Sequence, residues 1–197
     1  MARGSDVNVG VDQGLTVACV LSEGPTYTYE HVERLEKMAN DYAIHDEFVC
    51  IDNSPYPGWF AKISLFEPGR FTGRVLYLDL DVTVVGDLNN VAWYPGEFVA
   101  IRDYIKPGIN SSVMSWDAGK MDRIYTNFTP DVMDRLHGDQ DWIGEQVPNA
   151  QTYPYRWCLS YRKDIQKAGG TLADRPIPDD ARVIVYHGFP KPWDLED

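Results

Sequence analysis

The segment Val75–Val85 reads VLYLDLDVTVV, and it is the most hydrophobic run in the chain. Two aspartates, Asp79 and Asp81, interrupt it. Apolar flanks on both faces predict a central strand of a parallel sheet, covered on each side. Positions i and i+2 of a strand point the same way, so both carboxylates are expected on one side. Like charges so placed raise each other's pKa, and burial raises them further. Left unpaired in a core they would cost several kcal/mol. No Lys or Arg lies within four residues on either side. A divalent metal, Mg²⁺ or Mn²⁺, at the carboxyl end of the strand would supply the missing charge. The plainer alternative has one acid in a turn and the other meeting a distant Arg.

Strand and helix signals alternate through the first half. Leu15–Leu21 and Phe48–Ile51 are short, apolar and β-branched, and read as strands. Between them Thr28 is placed to cap a helix whose apolar face is Val32, Leu35, Met38 and Ala39. Trp59–Phe66 predicts a short helix stopped by Pro68-Gly69. Phe98–Ile101, Ser112–Trp116 and Arg182–Tyr186 predict later strands, and 118–128 and Asp139–Gln146 predict helices. This alternation implies βαβ units and an α/β fold with a mainly parallel sheet. At 197 residues one domain is the default, here 15–197 after a loose, polar N-terminus at 1–14.

The net charge of −12 excludes a reader of nucleic-acid backbones, which needs a basic stripe, and an anionic membrane surface. Six Trp, twelve Tyr and seven Phe are too much aromatic surface for a disordered chain. Cys19, Cys50 and Cys158 show no C-x-x-C spacing, and their apolar settings predict buried, reduced thiols. The first residues carry no apolar leader, and no stretch approaches a membrane span. A soluble, cytoplasmic protein is expected.

No phosphate-cradling G-x-x-x-x-G-K-[ST] loop or G-x-G-x-x-G is present, so an acidic chain taking a phosphorylated ligand would need a bridging metal. His187, just past the strand RVIVY and followed by Gly, could join the two acids as a ligand, and imidazole favours Mn²⁺ over Mg²⁺. Lys191 offers a compact cation for a phosphate oxygen. Gly138-Asp139-Gln140-Asp141 opens a helix, where Asp139 could equally be an N-cap. Gly108-Ile-Asn110-Ser111-Ser-Val-Met leads small polar residues into a strand. His31, His45 and His137 have no comparable context and read as structural or solvated. Trp59 and Phe60 read as core, with an aromatic platform for a sugar as the alternative.

In this order, LYLDLDVTVVGDL, GINSSVMSW, GDQDWI and HGFPKPW resemble the metal-dependent nucleotide-sugar glycosyltransferases of the GT-A fold. Family 8, which includes glycogenin and lipopolysaccharide galactosyltransferases, is the most similar. The resemblance spans about Leu15 to Trp193 and implies a Rossmann-like domain with a mixed, mainly parallel central sheet flanked by helices. It implies that Asp79, Asp81 and His187 hold Mn²⁺ or Mg²⁺ against the diphosphate of a donor, expected to be a UDP-sugar. By the same resemblance Asn110 and Ser111 touch the donor sugar, Asp139 and Gln140 lie by the anomeric carbon, and Lys191 and Lys62 face the donor. Ser22 and Glu23 would approach the nucleoside. The transfer would retain anomeric configuration, onto a saccharide, lipid-linked or protein hydroxyl. The His187-to-Lys191 spacing of four is shorter than the family's usual loop, and acceptor specificity does not transfer.

Two other functions compete. Asp79-Leu-Asp81-Val-Thr83 fits the D-x-D-x-T nucleophile motif of haloacid dehalogenase-like, Mg²⁺-dependent phosphohydrolases, which also need a later acidic pair such as Asp179-Asp180. A non-catalytic sugar-nucleotide-binding module would keep the binding groups without turnover.

Overall fold

The computed structural model describes residues 14–22, 24–166 and 177–195. Six strands form the main sheet in the order β2-β1-β3-β6-β5-β7. They are β1 (Leu15–Val20), β2 (Glu47–Ile51), β3 (Arg74–Leu78), β5 (Phe98–Arg102), β6 (Ile109–Asp117) and β7 (Gln151–Thr152). The pairs β1/β2, β1/β3 and β5/β7 are parallel, while β6 runs against both β3 and β5. The sheet is thus mixed and mostly parallel, as expected. A second sheet orders β4 (Val82–Val84), β9 (Val183–Val185) and β8 (Cys158–Ser160).

Strand residues alternate between two cores. Val17, Cys19, Leu76 and Leu78 face one side, where α1 (Tyr29–Tyr42) lays down Val32, Leu35 and Ala39. Ala18, Val20, Val75 and Tyr77 face the other, against Phe60, Ile63, Phe66 and, from α5 (Asp139–Gln146), Trp142 and Ile143. Thr28 stands at the N-cap of α1, where its backbone N–H donates to His31 Nδ1 at 2.9 Å, a structural role for that imidazole. The segment Gly58–Phe66 winds as a 3₁₀ helix, tighter than the α-helix its sequence suggests. In the 118–128 segment only α3 (Arg123–Thr126) is helical, after a turn in which Gly119 adopts φ +77°. Two further short helices are α2 (Asn89–Ala92) and α4 (Pro130–Arg135).

The run Val75–Val85 is not one strand. β3 ends at Leu78, Asp79-Leu80-Asp81 turn with Val82 N–H reaching Asp79 O at 3.3 Å, and β4 continues in the other sheet. β4 pairs antiparallel with β9. The two aspartates therefore occupy the hinge between sheets rather than one face of a strand. Cys19 and Cys158 are buried and Cys50 is half-buried, all three as free thiols. No helix among the described residues is long and apolar enough to cross a membrane. Of the N-terminal segment 1–14, all but Gly14 lies outside the described residues.

Candidate active site

A cavity of about 350 Å³ opens at the carboxyl ends of β1 and β3, within the range of small-molecule sites. Open α/β sheets place ligands at this end of their strands. Asp79, Asp81, Lys62, Ser22, Ser111, Asp139, Gln140, His187 and Lys191 all line it, although up to 169 residues separate them in sequence (191 − 22). Asn110 does not line it. Its Oδ1 accepts from Ser112 N–H at 3.0 Å and shapes the start of β6 instead. Glu23 lies outside the described residues.

The strand alternation explains which lysine meets which acid. Tyr77 and Asp79 point toward the 3₁₀ helix that carries Lys62. Lys62 Nζ stands 2.8 Å from Asp79 Oδ1, to which Tyr77 Oη also donates at 2.6 Å. Lys62 reaches Asp139 Oδ2 at 3.5 Å, and Ser111 Oγ donates to that same oxygen at 2.5 Å. Asp139 is thus no N-cap: it is the first residue of α5, buried, with its carboxylate turned into this network. Past the turn, Asp81 Oδ2 takes Lys191 Nζ at 2.5 Å and Tyr27 Oη at 2.9 Å. The cations that the local sequence lacks come from two lysines far along the chain. Each acid thus has a lysine partner of its own, where the plainer expectation paired one of them with a distant Arg.

Three carboxylates against two ammonium groups leave one negative charge in excess. Burial works against ionised Asp79, but Lys62 and hydrogen bonds from Lys62, Tyr77 and Ser112 overcome it and hold its carboxyl below the ordinary range. Asp81 goes the other way. Burial, then the neighbouring Asp79, raise it despite Lys191 and Tyr27. Burial and Asp79 likewise raise Asp139 against the pull of Lys62 and Ser111. Burial alone would lower the Lys62 ammonium, yet Asp139, Asp79 and Asp81 together raise it. The residual negative charge and the carboxylate–carboxylate–imidazole donor set suit a hard divalent cation. Among the described residues, however, no three His, Cys, Asp or Glu side chains stand close enough together to hold one. His187 instead shares a 2.6 Å hydrogen bond between Nε2 and Ser160 Oγ and stacks on Tyr104, ring centroids 5.5 Å apart. Burial, then Arg162 and Lys163, keep its pKa low, so the imidazole is neutral near pH 7.

The site also contains residues that the sequence did not single out. Tyr77 could have been read from its i+2 relation to Asp79. Tyr27 carries no sequence signal. His137, taken as structural or solvated, lines the cavity beside Trp59, their rings 5.1 Å apart. The Trp59-Phe60 pair splits: Phe60 is core, whereas Trp59 lines the cavity and is 60 % exposed. Asp180, half of the acidic pair that a phosphohydrolase would require, is outside the cavity lining and pairs with Arg156 at 3.0 Å.

This is the fold of glycosyltransferases, here with an acid-rich cavity at the strand ends. No family model matches the chain, and no curated protein does. Solved structures do. GlyE, a glycosyltransferase of Streptococcus pneumoniae TIGR4, superposes with a TM-score of 0.65 at 17 % identity over 92 % of this chain. The chain spans 56 % of that protein. The galactosyltransferase LgtC, solved with donor and acceptor sugar analogs, gives 0.60 at 15 % identity over 90 % of this chain and 89 % of its own. A glycosyltransferase involved in glycosylating the major capsid of PBCV-1 gives 0.54 at 10 % identity, over 87 % and 91 %. At such identities the likeness is one of fold.

Proposed function

We propose that this chain is a metal-dependent glycosyltransferase that moves a hexose from a nucleoside-diphosphate sugar, a UDP-sugar in the simplest case, to an acceptor hydroxyl with retention of configuration. The observation that carries the reading is the meeting of Asp79, Asp81, Asp139, Lys62 and Lys191 in one cavity of a glycosyltransferase fold. Once the donor draws Lys62 and Lys191 off the two acids and His187 leaves Ser160, Asp79, Asp81 and His187 would come together to hold Mn²⁺ or Mg²⁺, which would supply Lewis-acid stabilisation of the departing diphosphate.

The chain's own groups do the rest. Lys191 and Lys62 turn from the carboxylates toward phosphate oxygens and stabilise charge where it develops. Ser22, which lines the cavity, would approach the nucleoside, and Ser111 fixes the Asp139 carboxylate. Gln140 spends its Nε2 on Asp103 Oδ2 at 3.2 Å, leaving its carbonyl oxygen for the cationic sugar carbon. Asp139, buried beside it, holds a negative charge for the same centre.

A thermal-shift panel of nucleoside diphosphates with and without Mn²⁺ tests this. Ligand at about 100 Kd adds roughly 2.7 kcal/mol of stability. The expected result is a UDP or GDP response that disappears with chelator and in Asp81→Ala. A response indifferent to chelator removes the metal. Binding without any donor hydrolysis on long incubation would make the chain a sugar-nucleotide-binding module.

A further inference from the structure

Trp59 stands apart from the apolar residues of its own helix. GWFAKISLF buries Phe60, Ala61, Ile63, Ser64, Leu65 and Phe66, yet leaves this indole, the largest side chain among them, 60 % exposed. The indole has neighbours all the same. Gly58, at φ +54°, turns the chain into the helix beneath it. Gly138 lies beside it, and a Cβ there would make ordinary contact with Trp59 Cε3 at 3.5 Å. The His137 ring flanks it at 5.1 Å, tilted by 58°. Exposure alone would be ordinary for a single apolar residue; what sets Trp59 apart is that it lines the same cavity as the charged groups.

Its position relative to the charged groups is set by the helix. In a 3₁₀ helix residues i and i+3 eclipse, so Trp59 and Lys62 share one face. Lys62 points inward with its side chain 13 % exposed and meets Asp79 and Asp139. Trp59 is one turn earlier, toward solvent. On the opposite wall the backbone runs from His137 and Gly138, against the indole, straight into Asp139 and Gln140. The cavity is therefore graded: anionic and cationic groups inside, Asp139 and Gln140 between, a flat aromatic surface with a neighbouring imidazole at the entrance. A pyranose matches that entrance. Its C–H face stacks on an aromatic plane while its hydroxyls reach polar neighbours such as His137.

We propose that Trp59 is the stacking platform of an acceptor site for a hexopyranoside, so that the acceptor is a sugar rather than a peptide side chain or a lipid phosphate. The proposal rests on the glycosyltransferase reading and adds the acceptor class to it.

The probes are methyl β-galactopyranoside, methyl β-glucopyranoside, methyl α-glucopyranoside and a Ser/Thr-containing peptide, each with UDP and Mn²⁺ present. Saturation-transfer NMR reports which probe protons touch the protein, and titration gives Kd for probe and for UDP in wild type, Trp59→Ala and Trp59→Phe. At least one glycoside is expected to show transfer concentrated on one ring face. The ratio of glycoside Kd to UDP Kd should rise at least fivefold in Trp59→Ala and recover in large part in Trp59→Phe, which keeps an aromatic plane should the alanine variant fold poorly. No transfer to any glycoside overturns the proposal, as does a ratio unmoved by the substitutions or a response to the peptide alone. Failure of UDP itself to bind, by contrast, sinks the glycosyltransferase reading beneath it.

Discussion

At one end of β3, Arg74 is 3 % exposed and spends all five guanidinium N–H groups. They go to Ala92 O at 2.7 Å, Gly96 O and Asp117 Oδ1 at 3.0 Å, Tyr94 O at 3.1 Å and Ser115 Oγ at 3.0 Å. At the other end, Asp79 and Asp81 with Asp139 outnumber Lys62 and Lys191, beside an open cavity. The same strand thus begins in a closed, fully satisfied network and ends in an unbalanced one. The first ties the loop at 92–96 and β6 to the sheet, and leaves its cation nothing further to bind. The second keeps charge unspent where a ligand can enter. Buried charge alone does not separate structure from chemistry; an uneven count beside a cavity does.

Three measurements break or sharpen that contrast. Arg74→Met should have the largest effect, because it strands several carbonyls and one carboxylate; a loss of about 3–5 kcal/mol is expected in urea unfolding. A drop well below that would erase the distinction. Asp81→Asn should do the reverse. Donor hydrolysis falls on the order of 10²–10³, while stability moves by only about 1 kcal/mol or less, since the burial cost and Asp79 repulsion that vanish offset the Lys191 pairing that is lost. The smallest effect is in pH. Asp139, its carboxyl raised by burial and Asp79, takes up a proton at higher pH in the folded than in the unfolded chain. Stability attributable to it therefore grows as pH falls through the raised value. Comparing wild type with Asp139→Asn from about pH 7 down to about pH 4, wild type should gain on the variant upon acidification. A gap that stays constant would remove Asp139 from the unbalanced cluster.

Much of the fold was legible. β1, α1, β2 and β5 follow their apolar patterns, α5 forms where a mixed-period segment predicts a helix, and β9 follows its short Val/Ile run. The break at Asp79-Leu80-Asp81 was not, because it depends on β4 pairing with β9, which no local pattern reveals. β7, β8, α2 and α4 are too short for a period to emerge. In the site, the acids, His187 and the Asp139-Gln140 pair were readable as residue types. The Lys62–Asp79 and Lys191–Asp81 pairings were not, since they depend on which way the strand alternates and on where the C-terminal segment returns. Asn110 is not among the residues that line the cavity, and it stands where the register of β6 shifts opposite Ala100 and Ile101, which no local pattern announces.

The hinge between the two sheets also orders events in time. A ribosome releases the chain from its N-terminus, so β1, α1, β2 and β3 can find one another early. β4 must wait for Val183–Val185, and Asp81 for Lys191. The cavity is accordingly completed only after the first strands of the main sheet have been made. A message truncated upstream of Val183 would yield most of the main sheet with neither the strand that holds β4 nor the ammonium that steadies Asp81.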